Sequence, residues 1–390
     1  MKSLLAPLAT FFAGTTAALL ASAPVFASPS LDRNEVRVTW NDKRYTPDTL
    51  PEEIGESPRT TMEFWRPWAE EHGYQMAFND DARVLLLTSK KRSPKKALKL
   101  IDKTTNVLEE IAPLDAPRPA VSERKEQAEL KADPGVAAEG TSWTWEDTGP
   151  PLGTQTAVVV EMYGILEYVD ALDRLADAYD YLAPWVGSAQ GMSGFTLQRP
   201  LCAAFLKDGP GSEEWDPENE IVHRTARLLL LREFGRQPTW LSSGLAWYVE
   251  DAVRDTLYCF PYRDGFVGVT EHTGWDKELK RMVKKRDRVR MDELTSFERG
   301  TFDRTRAMYA FGAATFLAEH HAEELPGILE ELQATIHRDG RTHHDDGTWT
   351  LIPDYEPPAE TQQAILAKHL GPDWIDELYQ SYRKGRSYRP

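Results

Sequence analysis

The chain has 390 residues, room for one large domain or two ordinary ones, and its 41% hydrophobic and 10% aromatic content excludes wholesale disorder. A formal charge of −16 excludes a general nucleic-acid binder, because polyanion affinity rests on Lys and Arg neutralising phosphates. The basic run Lys277, Lys280, Arg281, Lys284, Lys285, Arg286, Arg288 and Arg290 stands out from this acidic background at helical spacing and reads as a solvated helix face.

The chain opens with Met1 and Lys2, an apolar stretch from Leu4 to Leu20 broken by Pro7 and Gly14, and then Val25 and Ala27 ahead of Ser28. Small residues three before and one before a cut describe a secretory signal over residues 1–27, so the expected mature protein is exported to the periplasm, cell surface or medium. No later stretch has the length or apolarity of a membrane span. Cys202 and Cys259 both fall in the mature chain, where a disulfide and a pair of buried thiols remain open readings.

Next come a short alternating strand, Glu35 to Thr39, and an amphipathic helix, Thr60 to His72, with Phe64, Trp65 and Trp68 on its apolar side. Gly73 ends the helix. Two strands, Tyr74 to Phe78 and Arg83 to Thr88, flank the turn Asn79, Asp80, Asp81, and a helix runs from Ser93 to Ile111 with Pro94 in its first turn. Residues 28–111 are therefore predicted to form a small α+β domain. Residues 112–153 are rich in Pro, Ala, Glu and Gly without periodicity and read as a linker.

The second domain, residues 154–385, starts with the apolar strand Thr156 to Met162. One long helix from Leu166 to Trp185 follows, then one strand from Phe195 to Leu206. Pro217 leads into a helix from Glu218 to Phe234, and Gly235 and Pro238 separate it from a helix from Leu241 to Arg254. The remainder is predicted helical in pieces: Trp275 to Arg286, Arg304 to His321, Leu325 to His337, Ala359 to Leu370 and Trp374 to Arg383. The expected class is α+β, a helix-and-hairpin unit followed by a mostly helical domain with a few strands.

The chemistry-bearing segment reads Asn219, Glu220, Ile221, Val222, His223, and continues after a Leu-rich helix with Trp240, Leu241, Ser242, Ser243, Gly244, Leu245, Ala246, Trp247, Tyr248, Val249 and Glu250. This layout resembles the gluzincin zinc metallopeptidases, with their peptidase MA-like domain, in which HExxH on one helix precedes a glutamate on the next in a WLxEGxAxYxE frame. The order strand, helix, edge-type strand and motif helix is similar as well. The resemblance implies two histidines on one helix face as zinc ligands, the glutamate between them as general base, and the later glutamate as third ligand. Carried over, it puts Asn219 at the first ligand, Glu220 at the general base, His223 at the second ligand and Ser243 at the third. Tyr309 falls where some gluzincins set a tyrosine over the site.

Two of the three ligand positions therefore hold a neutral amide and a neutral hydroxyl, poor donors to a borderline-soft cation. Without the ion, Glu220 lacks the metal-activated water it would serve. The expectation is a pseudopeptidase that holds no metal, with Glu220 a vestigial base and the cleft kept for a peptide or protein ligand. Asn219, Glu220 and His223 would line that cleft, while Ile221, Val222, Ala226, Leu229 and Leu230 are buried. The alternatives are an active hydrolase, either with zinc on non-standard ligands or with a Glu220 and His223 acid-base pair, and a purely structural envelope component.

Other candidates carry less. His337, Asp339, His343, His344, Asp345 and Asp346 cluster in sequence, but Gly340 and Gly347 make the segment a polar hairpin loop. His320 and His321 are adjacent on a helix and diverge. Ser193 and Ser242 lack a nucleophile-elbow setting.

Overall fold

The computed structural model describes residues 35–114, 153, 155–191, 194–207, 216–257, 274–285, 291–297, 303–344, 349–352 and 355–384. The signal segment, most of the expected linker, Cys259, Ser193, Asp345 and Asp346 lie outside the described residues.

The fold is α+β, built on a mixed seven-stranded sheet. Its strands are β1 (Val38–Trp40), β2 (Lys43–Tyr45), β3 (Tyr74–Asn79), β4 (Val84–Ser89), β5 (Ala157–Met162), β6 (Gly194–Leu197) and β7 (Cys202–Leu206), in the order β2-β1-β3-β4-β5-β7-β6. β4 pairs in parallel with β5, Leu85 beside Val158 and Leu87 beside Val160. The strands expected in two separate domains thus share one sheet, and the described residues from Val36 onward form one compact unit. Ala112 and Leu114, expected to open the linker, are buried in the core instead.

The central strands are apolar on both faces because helices cover both sides, which explains their continuous rather than alternating hydrophobicity. On one face Val158, Val160 and Met162 pack with α1 (Glu56–His72), α3 (Ile165–Ala178) and α4 (Ala183–Ala189). On the other, Ala157, Val159, Ala203 and Phe205 pack with α2 (Lys95–Ile111), α5 (Pro217–Phe234) and α6 (Thr239–Arg254). Behind these lie α7 (Trp275–Lys285), α8 (Met291–Thr295), α9 (Arg304–His320), α10 (Leu325–Asp339), α11 (Ala359–Leu370) and α12 (Trp374–Lys384). α6 meets α9 at Gly244, where an added Cβ would lie 2.4 Å from the Ala310 carbonyl oxygen.

Two of the expected elements divide in two. The helix predicted to run unbroken to Trp185 ends at Ala178, where Tyr179 leaves helical geometry at φ −137° and ψ 88°, and Pro184 falls in the first turn of the next helix, where its missing N–H is not needed. The single strand expected from Phe195 to Leu206 is a hairpin, β6 and β7, with Pro200 in the turn, where no ladder hydrogen bond is required of it. The His337 to His344 region does form a hairpin, β8 (Arg341–His343) against β9 (Trp349–Leu351). Trp65, Trp68 and Trp240 are core residues, as their helix-face positions predict. On α7, Leu279 and Val283 are buried while Lys277, Arg281 and Lys284 are exposed.

Candidate functional site

α5 and α6 form an antiparallel helical hairpin across the turn Gly235 to Pro238. Asp216 caps α5 by accepting from the Glu218 N–H at 2.8 Å, and Pro217 occupies the first helical position. The turn brings the start of α5 beside the end of α6. His223 stands twelve residues before Gly235, and Glu250 twelve after Pro238.

Those two residues meet. His223 Nδ1 donates to Glu250 Oε2 at 3.2 Å, and Asn219 Nδ2 donates to Glu250 Oε1 at 2.7 Å and to the Thr256 carbonyl at 2.9 Å. Asn219 Oδ1 accepts from Arg254 Nε at 3.2 Å and from the Thr256 hydroxyl at 3.3 Å. Arg254 is held in turn by Asp216 at 3.0 Å and Glu218 at 2.7 Å, and Lys96 of α2 also reaches Glu218. The result is a polar network with a fully buried carboxylate at its centre. Such a network must be satisfied internally, since an unpaired buried polar group costs about 1–3 kcal/mol.

Asn219, Glu220 and His223 were expected to face a cleft; they are 0%, 3% and 5% exposed. The reason is the layering: α5 lies between the sheet on one side and α2 and α6 on the other, so the face bearing these residues is interior too. Burial, with Arg227 and Arg224 nearby, pushes His223 well below its ordinary range and keeps its ring neutral. With Nδ1 donating to Glu250, Nε2 carries the lone pair.

Glu220 points elsewhere. Its Oε2 accepts from Arg224 Nε at 3.0 Å, one turn on, and Arg224 Nη1 donates to Thr196 Oγ1 of β6 at 3.2 Å. A Cβ at position 194 would lie 2.6 Å from Arg224 Nη2, so Gly194 is what lets the guanidinium lie against the strand. The expected general base is an ion-pair partner between helix and sheet.

Ser243 is not joined to this group. It lies two turns before Glu250 on the same face of α6, about 10 Å along the axis, is 1% exposed, and its hydroxyl has no hydrogen-bond partner among the described residues. Tyr309 is buried on α9, near Tyr382 of α12. His337 is pushed to about 4 by burial and by the Arg341 and Arg199 guanidiniums, and its ring stands 2.7 Å from Arg341.

The donor set does not fit zinc. Both amide atoms of Asn219 are engaged, the Arg254 guanidinium lies against its oxygen, and Ser243 offers an uncharged hydroxyl, leaving His223 Nε2 as a lone imidazole donor where three ligands are needed. Glu250, Arg254 and Arg224 are the residues that sequence reasoning left without a role. Glu250 was within reach of it, because residues equidistant from a tight helical turn lie side by side. No family model matches the sequence, and no curated protein matches it.

Proposed function

We propose that this protein is an exported, non-catalytic relative of the gluzincin metallopeptidases that holds a peptide or protein segment beside its motif helix without cleaving it. The observation that carries the reading is that the side chains at the first-ligand and general-base positions are committed to protein partners, Asn219 to Glu250 and Arg254, and Glu220 to Arg224. Peptide hydrolysis by the family mechanism needs a metal-bound water and a carboxylate able to take its proton. Here the first-ligand position is neutral and braced by a cation, and the carboxylate already accepts from a guanidinium.

The scaffold supports the resemblance in its order of elements: a parallel strand, a helix, an outer antiparallel strand, then the motif helix. Among the described residues β6 pairs with one neighbour only, and an extended segment is accommodated by adding to such an edge through main-chain hydrogen bonds.

Incubating the purified protein with a complex peptide mixture, with and without added zinc, and reading new termini by mass spectrometry tests this. The expected result is that peptides are recovered uncut. Cleavage by the unmutated protein that disappears in Glu220→Gln would replace this reading with that of a working hydrolase.

A further inference from the structure

A second group of metal-ligating side chains lies on the opposite face of the sheet. α1 ends at His72, and its last turn presents Glu71 and His72 toward Asp170 on α3. One donor atom from each of the three lies within 4.8 Å of the others, and His72 Nε2 is 2.9 Å from Asp170 Oδ2. The two helices are fixed in this register by their neighbours. Trp68 Nε1 donates to the Glu167 carbonyl at 3.3 Å, the Tyr74 hydroxyl donates to the Glu167 carboxylate, and the Trp68 ring stands 5.0 Å from the imidazole.

The setting supplies an independent reason to expect a cation. Two of the three, Glu71 and Asp170, line a groove of about 400 Å³ together with Phe64, Pro67 and Trp68, and Asp173 and Asp177 continue the face of Asp170 along it. Among the described residues Glu71, Asp173 and Asp177 make no ion pair, whereas acids such as Asp48, Glu278 and Glu331 each have a basic partner. Arg174, the guanidinium in the same wall, is turned to the Phe64 carbonyl at 3.0 Å and lies over the Phe64 ring. The groove therefore holds more negative charge than its own cation balances.

We propose that Glu71, His72 and Asp170 form a binding site for a divalent transition-metal ion of the zinc class, pinning the end of α1 to α3. Imidazole nitrogen with two carboxylates selects such an ion over calcium or magnesium, which take oxygen ligands throughout. Zinc bonds of about 2.0–2.2 Å require the donors to draw together, and Glu71, exposed on the last turn, is free to rotate inward. On binding, the ion takes the place of the proton between His72 Nε2 and Asp170, and that proton passes to solvent. Part of the imidazole and half of the Asp170 side chain are open to solvent, giving the ion a way in.

Zinc chloride titrated calorimetrically into chelator-treated, dialysed protein provides the test. The unmutated protein is expected to take up one equivalent. His72→Asn, Asp170→Asn and Glu71→Gln should each weaken binding by at least about 100-fold, the upper range for loss of a supporting residue around a metal, while His223→Asn leaves it unchanged. Glu71→Gln and Asp170→Asn alter partly exposed surface and keep the test valid if His72→Asn does not fold. Absence of zinc binding, or binding that survives all three changes, overturns the proposal; loss on His223→Asn instead moves the metal to the α5 and α6 hairpin. Tighter binding of calcium than of zinc refutes the assigned class.

Discussion

His223 and His72 each meet a carboxylate where two helices pack, but one pair is sealed and the other is open. At the hairpin of α5 and α6, both Glu250 oxygens and both Asn219 amide atoms are used within the protein, and only the buried His223 Nε2 is left over. Between α1 and α3, His72 meets a partly exposed Asp170 that lines an open groove with further carboxylates, Glu71, Asp173 and Asp177. The same residue types thus hold the fold together where water is excluded and remain available for chemistry where it is not.

The two sites differ most in what each contributes to stability. Glu250→Ala removes the acceptor of two buried donors and is expected to cost about 3–5 kcal/mol, the range for losing one member of a buried polar pair. Asp170→Asn, half exposed, should change stability by under about 0.5 kcal/mol. Urea unfolding of the two variants measures both. Equal effects would mean that the hairpin network does not anchor the fold.

Acid sharpens the contrast more gently. Burial, aided by Arg227 and Arg224, holds His223 well below 6.5, and burial with Arg341 and Arg199 holds His337 at about 4. Both groups bind protons more readily in the unfolded chain than in the folded one. Their stabilising contribution is therefore complete above about pH 6.5 and is lost as pH falls from there toward 4. Melting temperature should decline over that window, and His223→Gln should flatten the decline. An unchanged slope in that variant would show that His223 titrates freely in the folded state.

Much of this architecture is legible in the sequence, and the misses have physical causes. Pro217, Gly235 and Pro238 delimit α5 and α6 because each punctuates a helix in a known way. Pro184 and Pro200 carried equally clear signals, the one falling in the first turn of a new helix and the other in a turn, where apolar periodicity alone extends a single element. The burial of Asn219 and His223 was hidden because a polar residue on a helix reads as exposed until its partner is known, and the central partner, Glu250, lies on the next helix. The meeting of His72 with Asp170 joins residues 98 apart in the chain, across a segment that composition alone assigns to a linker. The parallel pairing of β4 with β5 brings the two halves of the chain into one sheet and so α1 and α3 onto the same face.

The most direct test is nitrogen-15 NMR of the histidine rings in the unmutated protein during a zinc titration. His223 should appear as a neutral ring protonated at Nδ1, with both nitrogen shifts unmoved by the metal, while the Nε2 resonance of His72 shifts toward saturation at one equivalent. A zinc-induced shift at His223 Nε2 with His72 unaffected would contradict the account, because it would show that the hairpin still works as a metal site and that the open groove does not.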